Sequence, residues 1–352
     1  MRQPAELPDR AAPRVRKPWQ LTVARFLHDR WSVAALALFL LVLVASFAGG
    51  AILGAIVGHN GDTPFPYGVD DTLAPVGFWS HVPDTLVSNI NSYGQTLPPP
   101  KSTPTTLFIA GADGPLGRDE LIRVLDGGRA SIEIGVGAVI ISALIAIPLG
   151  CLAGFFGGFV DAIVSRLTET IMAFPLIFFL VFATVRLSPT LRPIGWGTYL
   201  PKGVVAVALM IGVFTSFYPL RLIRAQLFGL RNAEFVQSSH MVGASSLRII
   251  RKDLFPHLVP TLLVWGAIAV ATDILLEVGL SVIGVGVQAG TPTWGSLLAT
   301  TTGTIYTSGL PQTGHYTIWQ TLLPTFGILI AVIALNQVSE GTRRALEPWA
   351  RR

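Results

Sequence analysis

Charge is scarce in this 352-residue chain. Asp, Glu, Lys and Arg make up 13% of it, against about 25% in a soluble domain. Hydrophobic residues make up 51% and mean hydropathy is +0.59, so lipid rather than water is its main solvent. Cysteine is nearly missing: the single Cys151 excludes disulfides, Cys-rich zinc sites and iron–sulfur clusters. Only four lysines occur (Lys17, Lys101, Lys202, Lys252) and none follows a glycine. A phosphate loop needs Gly-Lys followed by Ser or Thr, so the chain cannot hold ATP in that manner. The six histidines include no i,i+4 pair around a glutamate, and no G-x-S-x-G turn is present, which removes two common hydrolytic designs. No catalytic residue, metal site or bound cofactor is expected.

What the chain does contain is long apolar runs. The first, Ser32 to Val57, carries no charge and is long enough to cross a hydrocarbon core of about 30 Å. It is too long for a signal-peptide core, and no small-x-small cleavage site stands out in it, so a retained anchor is expected. Five further runs follow, at Ile134–Phe156, Ile171–Val185, Val204–Tyr218, Thr261–Val285 and Ile318–Val338. The net charge of +5 reports topology, not nucleic-acid binding. Segments 1–31, 157–170, 219–257 and 339–352 hold 18 of the 25 Lys and Arg residues. By the positive-inside rule both termini and the 219–257 connection are cytoplasmic. The Pro/Arg-rich start of the chain suits anionic headgroups, and Trp19 to Arg30 can form an amphipathic surface helix. Outside, residues 58–131 begin too proline-rich for regular helix, and Leu116 to Ile132 reads as a short helix entering the second span. Trp294 and Trp319 are expected as interfacial anchors.

The cytoplasmic connection QSSHMVGASSLRIIRKDLFPHLVP (Gln237 to Pro260) is the most informative segment. Glu234 to Val242 can be helical, Gly243 permits a positive φ, and Ser245 or Ser246 can cap a second helix that stops at Pro256. Connections within helix bundles run to about 2–8 residues, and this one is far longer, which suits a docking surface for another protein. Asp273 and Glu277 lie on one face of the fifth span at i,i+4 spacing. Intramembrane carboxylates either serve a pathway or hold a structural bond.

Several blocks together resemble the second integral-membrane subunit of dipeptide/oligopeptide (peptide/nickel) ABC importers, of the dipeptide permease C and oligopeptide permease C type. They are LGRDELIRVLDGGRASI, with Arg118, Asp119, Arg123 and Arg129; AGFFGGFVDAIVSR, with Gly154, Gly157, Gly158, Asp161 and Arg166; the loop itself; and LLEVGLSVIGVGVQAGTPTWG. The resemblance implies an all-α membrane protein with six transmembrane helices in the ABC type I importer permease fold, in the bacterial inner membrane. It divides the chain into a cytoplasmic tail (1–31), a first helix (32–57), an extracytoplasmic segment (58–131), a five-helix core (132–338) containing the loop 231–258, and a cytoplasmic tail (339–352).

It further implies a second homologous permease subunit, two cytoplasmic ATP-binding cassette ATPases carrying ATP and Mg, an extracytoplasmic solute-binding protein and membrane lipid as partners. Glu234, Gln237, Ser238, Ser239, Met241, Val242, Gly243, Ala244 and Arg248 then couple to the ATPases. Asp273, Glu277 and Ser281 become candidates for the pore or the subunit interface, and Arg118, Asp119 and Arg129 form an extracytoplasmic block. The chain departs from the family pattern where Glu-Ala-Ala becomes Gln237-Ser238-Ser239 and where a histidine becomes Asp253. Nickel or another small solute is an alternative cargo. A proton-coupled carrier using Asp273 and Glu277 is an alternative of another class.

Overall fold

The computed structural model describes residues 18–69, 75–85, 103–113, 116–191, 203–287, 291–308 and 316–346. Within them five helices are long and apolar enough to cross a membrane: Arg30–Val57, Glu120–Phe156, Val204–Leu230, Ser246–Val282 and Ile318–Leu346. A sixth crossing forms if Gly158–Met172 and Leu176–Arg186, bent by 88° at a short break, count as one. The third apolar run of the sequence straddles that bend. Pro175 lies in the break and cannot donate a backbone bond into a continuing helix.

In chain order, α1 (Pro18–His28) precedes α2 (Arg30–Val44), which passes through a π-helical turn into α3 (Gly50–Val57). Strands β1 (Ser80–Pro83) and β2 (Thr105–Phe108) pair antiparallel, as do β3 (Ala112–Asp113) and β4 (Arg118–Asp119). Then come α4 (Glu120–Phe156), α5 (Gly158–Met172), α6 (Leu176–Leu191), α7 (Val204–Thr215) and α8 (Phe217–Leu230). The chain continues through α9 (Glu234–Met241), α10 (Ser246–Arg248), a π-helical stretch Ile249–Leu254, α11 (Phe255–Val282), α12 (Trp294–Ser308) and α13 (Tyr316–Leu346). The short strands and α12 are additions to the sequence reading. Val82 and Phe108 bury a small core with Phe65 between prolines that conceal the two-residue period. The Thr-rich α12 packs on α11 and α13.

The longest helix, α4, is the axis of the bundle. Its 37 residues extend about 55 Å at 1.5 Å per residue, and it contacts α7, α8 and α11. Along one face Ala138, Ser142, Ala146, Gly150 and Gly154 recur every fourth residue, all buried. Lipid tails are as apolar as side chains, so helices in a membrane associate by close packing, and small residues permit it. The fit is tight. A Cβ added at Gly150 would lie 2.9 Å from the Cβ of Ile223, and one at Gly154 2.8 Å from the Cβ of Leu227 and from the Arg224 carbonyl.

At the end of the bundle that carries both described termini, α1 packs on α13. Asp29 caps α2, accepting from Trp31 N at 3.2 Å and from Ser32 Oγ at 2.7 Å, and Arg344 approaches it at 3.6 Å. The Ser32 hydroxyl, aided by Arg344, holds the Asp29 carboxyl below its ordinary range. On α5, Asp161 is bridged by the Arg224 guanidinium of α8, one of the two bonds being Nη2 to Oδ2 at 2.9 Å.

The glycine contacts separate two substitutions on the α4–α8 pair. Gly154→Val forces α8 away at a cost of about 1–3 kcal/mol for overpacking. Gly229→Ala in α8 meets nothing within 4 Å and gains up to about 1 kcal/mol of helix propensity. Thermal unfolding of the purified chain in detergent should show a lower Tm for the first and an unchanged or higher Tm for the second.

Candidate functional site

Two constellations use most of the functional residues expected from the sequence. The first is the loop between α8 and α11. Helix α9 turns sharply at Gly243, whose φ is +83°, and α10 begins after Ser245. Ser245 occupies the cap position but makes no side-chain cap bond. Pro256 does not stop the second helix. It lies in the first turn of α11, directly after the π-helical stretch Ile249–Leu254, and the helical path from Ser246 runs on to Val282.

The hairpin stands on its own apolar floor. Val236, Ile249 and Leu254 are fully buried with Leu227 and Leu258, and Ala244 packs against them. Glu234 opens α9, and its carbonyl accepts from Ser238 Oγ at 2.8 Å. Gln237 Nε2 donates to the Asn232 carbonyl at 3.0 Å. Ser239 Oγ donates to Asp253 Oδ2 at 2.9 Å, joining α9 to the returning arm. Both of these residues stand where the resembling family has others, and here they are partners. At the tip, Met241 (82% exposed), Val242 (88%) and Leu247 (74%) project outward. Behind them a cleft of about 330 Å³ is lined in part by Ser238, Gly243, Arg248 and Lys252.

The second constellation surrounds Glu277, which is fully buried. Its Oε1 accepts from Ser281 Oγ at 2.7 Å and from Thr293 Oγ1 at 2.7 Å, and its Oε2 accepts from Ser131 Oγ at 3.3 Å. Ser131 Oγ in turn accepts from Trp294 N at 3.1 Å. One carboxylate thus fastens α4, α11 and the start of α12. Trp294 completes the joint and does not anchor at the membrane surface. It is 2% exposed, its indole Nε1 donates to the Val124 carbonyl at 3.0 Å, and Gly128 and Gly327 leave room for the ring. Trp319, by contrast, is 42% exposed. Asp273 shares the helix face with Glu277 and is also buried, and its Oδ2 makes no hydrogen bond. Glu277 and Ser281 are held in the interior of the chain, and none of the three candidates lies on its exposed surface.

At the opposite end of α4 from the loop, the Arg118–Asp119–Arg129 block also serves assembly. Asp119 caps α4, its Oδ1 accepting from Leu121 N at 3.0 Å and from Ile122 N at 3.2 Å. Burial raises its carboxyl above the ordinary range, opposed by those N–H groups and by His59. Arg118 pairs with Asp113 at 3.0 Å, and Arg129 with Glu133 at 2.8 Å. Arg123, named in the same motif but not placed in that block, is the hub, reaching Asp62 and Asp113 at 2.5 Å each. Gln320 Nε2 donates to the Ala112 carbonyl at 2.6 Å, tying this cap to α13. Among the described residues no group of three or more His, Cys, Asp or Glu side chains is arranged to hold a metal.

Comparison with known proteins gives this architecture its relatives. The dipeptide transport system permease protein DppC of Bacillus subtilis is 32% identical over 239 residues, 67% of this chain and 68% of that protein. The oligopeptide transport system permease protein OppC of Mycobacterium bovis is 28% identical over 331 residues, 94% of each. Among solved structures, a chain of the inward-facing MetNI methionine ABC transporter superposes with a TM-score of 0.47 and 18% identity, over 64% of this chain and 96% of that one. The profile of binding-protein-dependent transport system inner membrane components matches residues 146–352. More than half the sequence lies within that match, and the chain belongs to this family of bacterial multi-pass inner-membrane proteins.

Proposed function

We propose that the chain forms one half of the translocation pore of an ABC importer for dipeptides or oligopeptides. A second homologous permease subunit supplies the other half, and an extracytoplasmic binding protein delivers the peptide. The chain itself is non-catalytic, and ATP is hydrolysed by two partner subunits. The names of relatives that match over two thirds or more of the chain support a peptide cargo.

The observation that carries the coupling role is the exposed tip of the α9–α10 hairpin. Three large apolar side chains, Met241, Val242 and Leu247, are held in the open on a segment otherwise polar and basic, while the hairpin's own core is complete beneath them. Such side chains gain by being covered, at about 25 cal/mol per Å² of apolar surface removed from water. The neighbouring cleft offers a seat for partner side chains. In this reading an ATPase closing on ATP displaces the hairpin, and α11 carries the displacement into the membrane. ATP shifts the pore only to the extent that it binds one conformation better. Against the proton-carrier alternative stands Glu277, which spends its oxygens on three hydroxyl groups.

Gly243 gives the sharpest test. A Cβ there meets nothing within 4 Å, so a substitution strains only the backbone, by about 1–2 kcal/mol for the left-handed conformation. Asn tolerates that region and a β-branched residue does not. In proteoliposomes containing the complete complex, binding protein and peptide, Gly243→Asn should retain most peptide-stimulated ATP hydrolysis and uptake. Gly243→Val should lose both while remaining in the membrane. Equal activity of the two variants would remove the coupling assignment.

The orientation is checked separately in intact cells with an impermeant thiol reagent, in a Cys151→Ser background. Leu116→Cys, exposed on the cap, should be labelled and Leu247→Cys should not. The reverse pattern would invert the topology.

A further inference from the structure

The described residues between 58 and 119 form a cap with its own core. Phe65, Val82 and Phe108 are completely buried, and Phe65 meets Phe108 edge to face at 5.2 Å. Two aromatic side chains of the same cap take no part in that core. Phe78 is 39% exposed and Trp79 64%, on the tight turn that leads into β1. Trp79 adopts φ +55°, and it is the one non-glycine residue with positive φ among those described. The turn around it is fixed on both sides: Ser80 Oγ donates to the Gly77 carbonyl at 2.7 Å, and Trp79 N donates to the Ile109 carbonyl at 3.3 Å. A bulky residue in the left-handed region costs about 1–2 kcal/mol, and the Trp79 ring, 64% exposed, recovers little of it by burial. Strain of this kind points to a role outside the fold.

The position of the turn indicates what covers it. The Phe78 ring lies 4.8 Å from that of Trp319, and Trp319 is in the first turn of the membrane-spanning stretch Ile318–Leu346. Below Trp319 the exposed face of α13 continues with Phe326, Leu329 and Ile333, each nearly half exposed, and Ile318 lies beside it. The aromatic turn is therefore continuous with an exposed apolar stripe, at the end of a helix long and apolar enough to cross a membrane. An indole is suited to a membrane–water boundary, because its ring is apolar and its N–H can donate to headgroup oxygens.

We propose that Phe78 and Trp79, together with Trp319, form an interfacial anchor. It seats the cap in the headgroup–acyl boundary of the leaflet at that end of the bundle, so that the cap rests on lipid as well as on α4. A protein partner covering the same turn is the competing occupant.

The test uses the complete transporter in phosphatidylcholine vesicles whose acyl chains carry bromine either near the headgroup or near the bilayer centre. The emission lost on Trp79→Phe isolates the Trp79 signal. It should be quenched more by shallow than by deep bromine, and remain so when binding protein and peptide are added. A Trp79 signal insensitive to both lipids and quenched by aqueous iodide overturns the proposal. So does lipid quenching of the chain alone that disappears in the assembled transporter, which would give the turn to a protein partner. Trp79→Asn provides an independent arm. It relieves the backbone strain and removes the aromatic ring, so the Tm in detergent should not fall. A fall would assign Trp79 to the core of the cap and sink the anchor.

Discussion

The Glu277 carboxylate is the constraint on which the upper half of the bundle depends. It draws hydroxyl groups from Ser131 on α4, Ser281 on its own helix and Thr293 ahead of α12. A hydrogen bond contributes about 0.5–1.5 kcal/mol net, and leaving a buried donor without its acceptor costs about 1–3 kcal/mol. Few other interactions can hold helices together in lipid, where burial of apolar surface supplies no net drive. The joint also seats Trp294, whose indole fills the space that Gly128 and Gly327 leave open. Without the carboxylate, Ser131, Ser281 and Thr293 lose their shared acceptor, and the two Trp294 bonds are left to hold the start of α12 against α4.

Lower down, the means of association changes. The stripe from Ala138 to Gly154 brings α4 against α7 and α8 by closeness alone, and the Asp161–Arg224 bridge locks α5 to α8. The helical path that leaves the hairpin at Ser246 reaches Glu277 without a break in helix. A displacement of the hairpin therefore arrives at a point already bolted to α4 and α12. This continuity gives the proposed coupling a mechanical form: the loop does not pull on a slack connection.

Local features of this design were legible from the residues. The apolar runs, the turn at Gly243 and the facing of Asp273 and Glu277 all depend on neighbours within a few positions. What escaped depends on long-range contacts. Ser131 and Glu277 are 146 positions apart, and Trp294 and Val124 are 170 apart, so Trp294 reads as an interfacial residue until its partner is seen. Arg123 lay within a quoted motif, yet only the fold brings Asp62 and Asp113 to it. The bend at residues 173–175 did carry a signal, Pro175, which the hydropathy of its surroundings masked. The Ser239–Asp253 bond is a middle case. Both residues stand out as departures from the pattern of the family the chain resembles, but only the fold shows that they bond to each other.

Whether Glu277 is a fastening or part of the transport path is decided by its charge. Glu277→Gln keeps a carbonyl oxygen for Ser281 and Thr293, whereas Glu277→Leu leaves all three hydroxyls without their acceptor. Tm of the purified complex and peptide uptake in proteoliposomes should be measured on the same preparations. If the carboxylate is a fastening, the Gln variant assembles and transports close to normally, and the Leu variant loses stability and fails to assemble. A Gln variant that assembles with unchanged Tm but no longer transports would contradict this account and return Glu277 to the pathway.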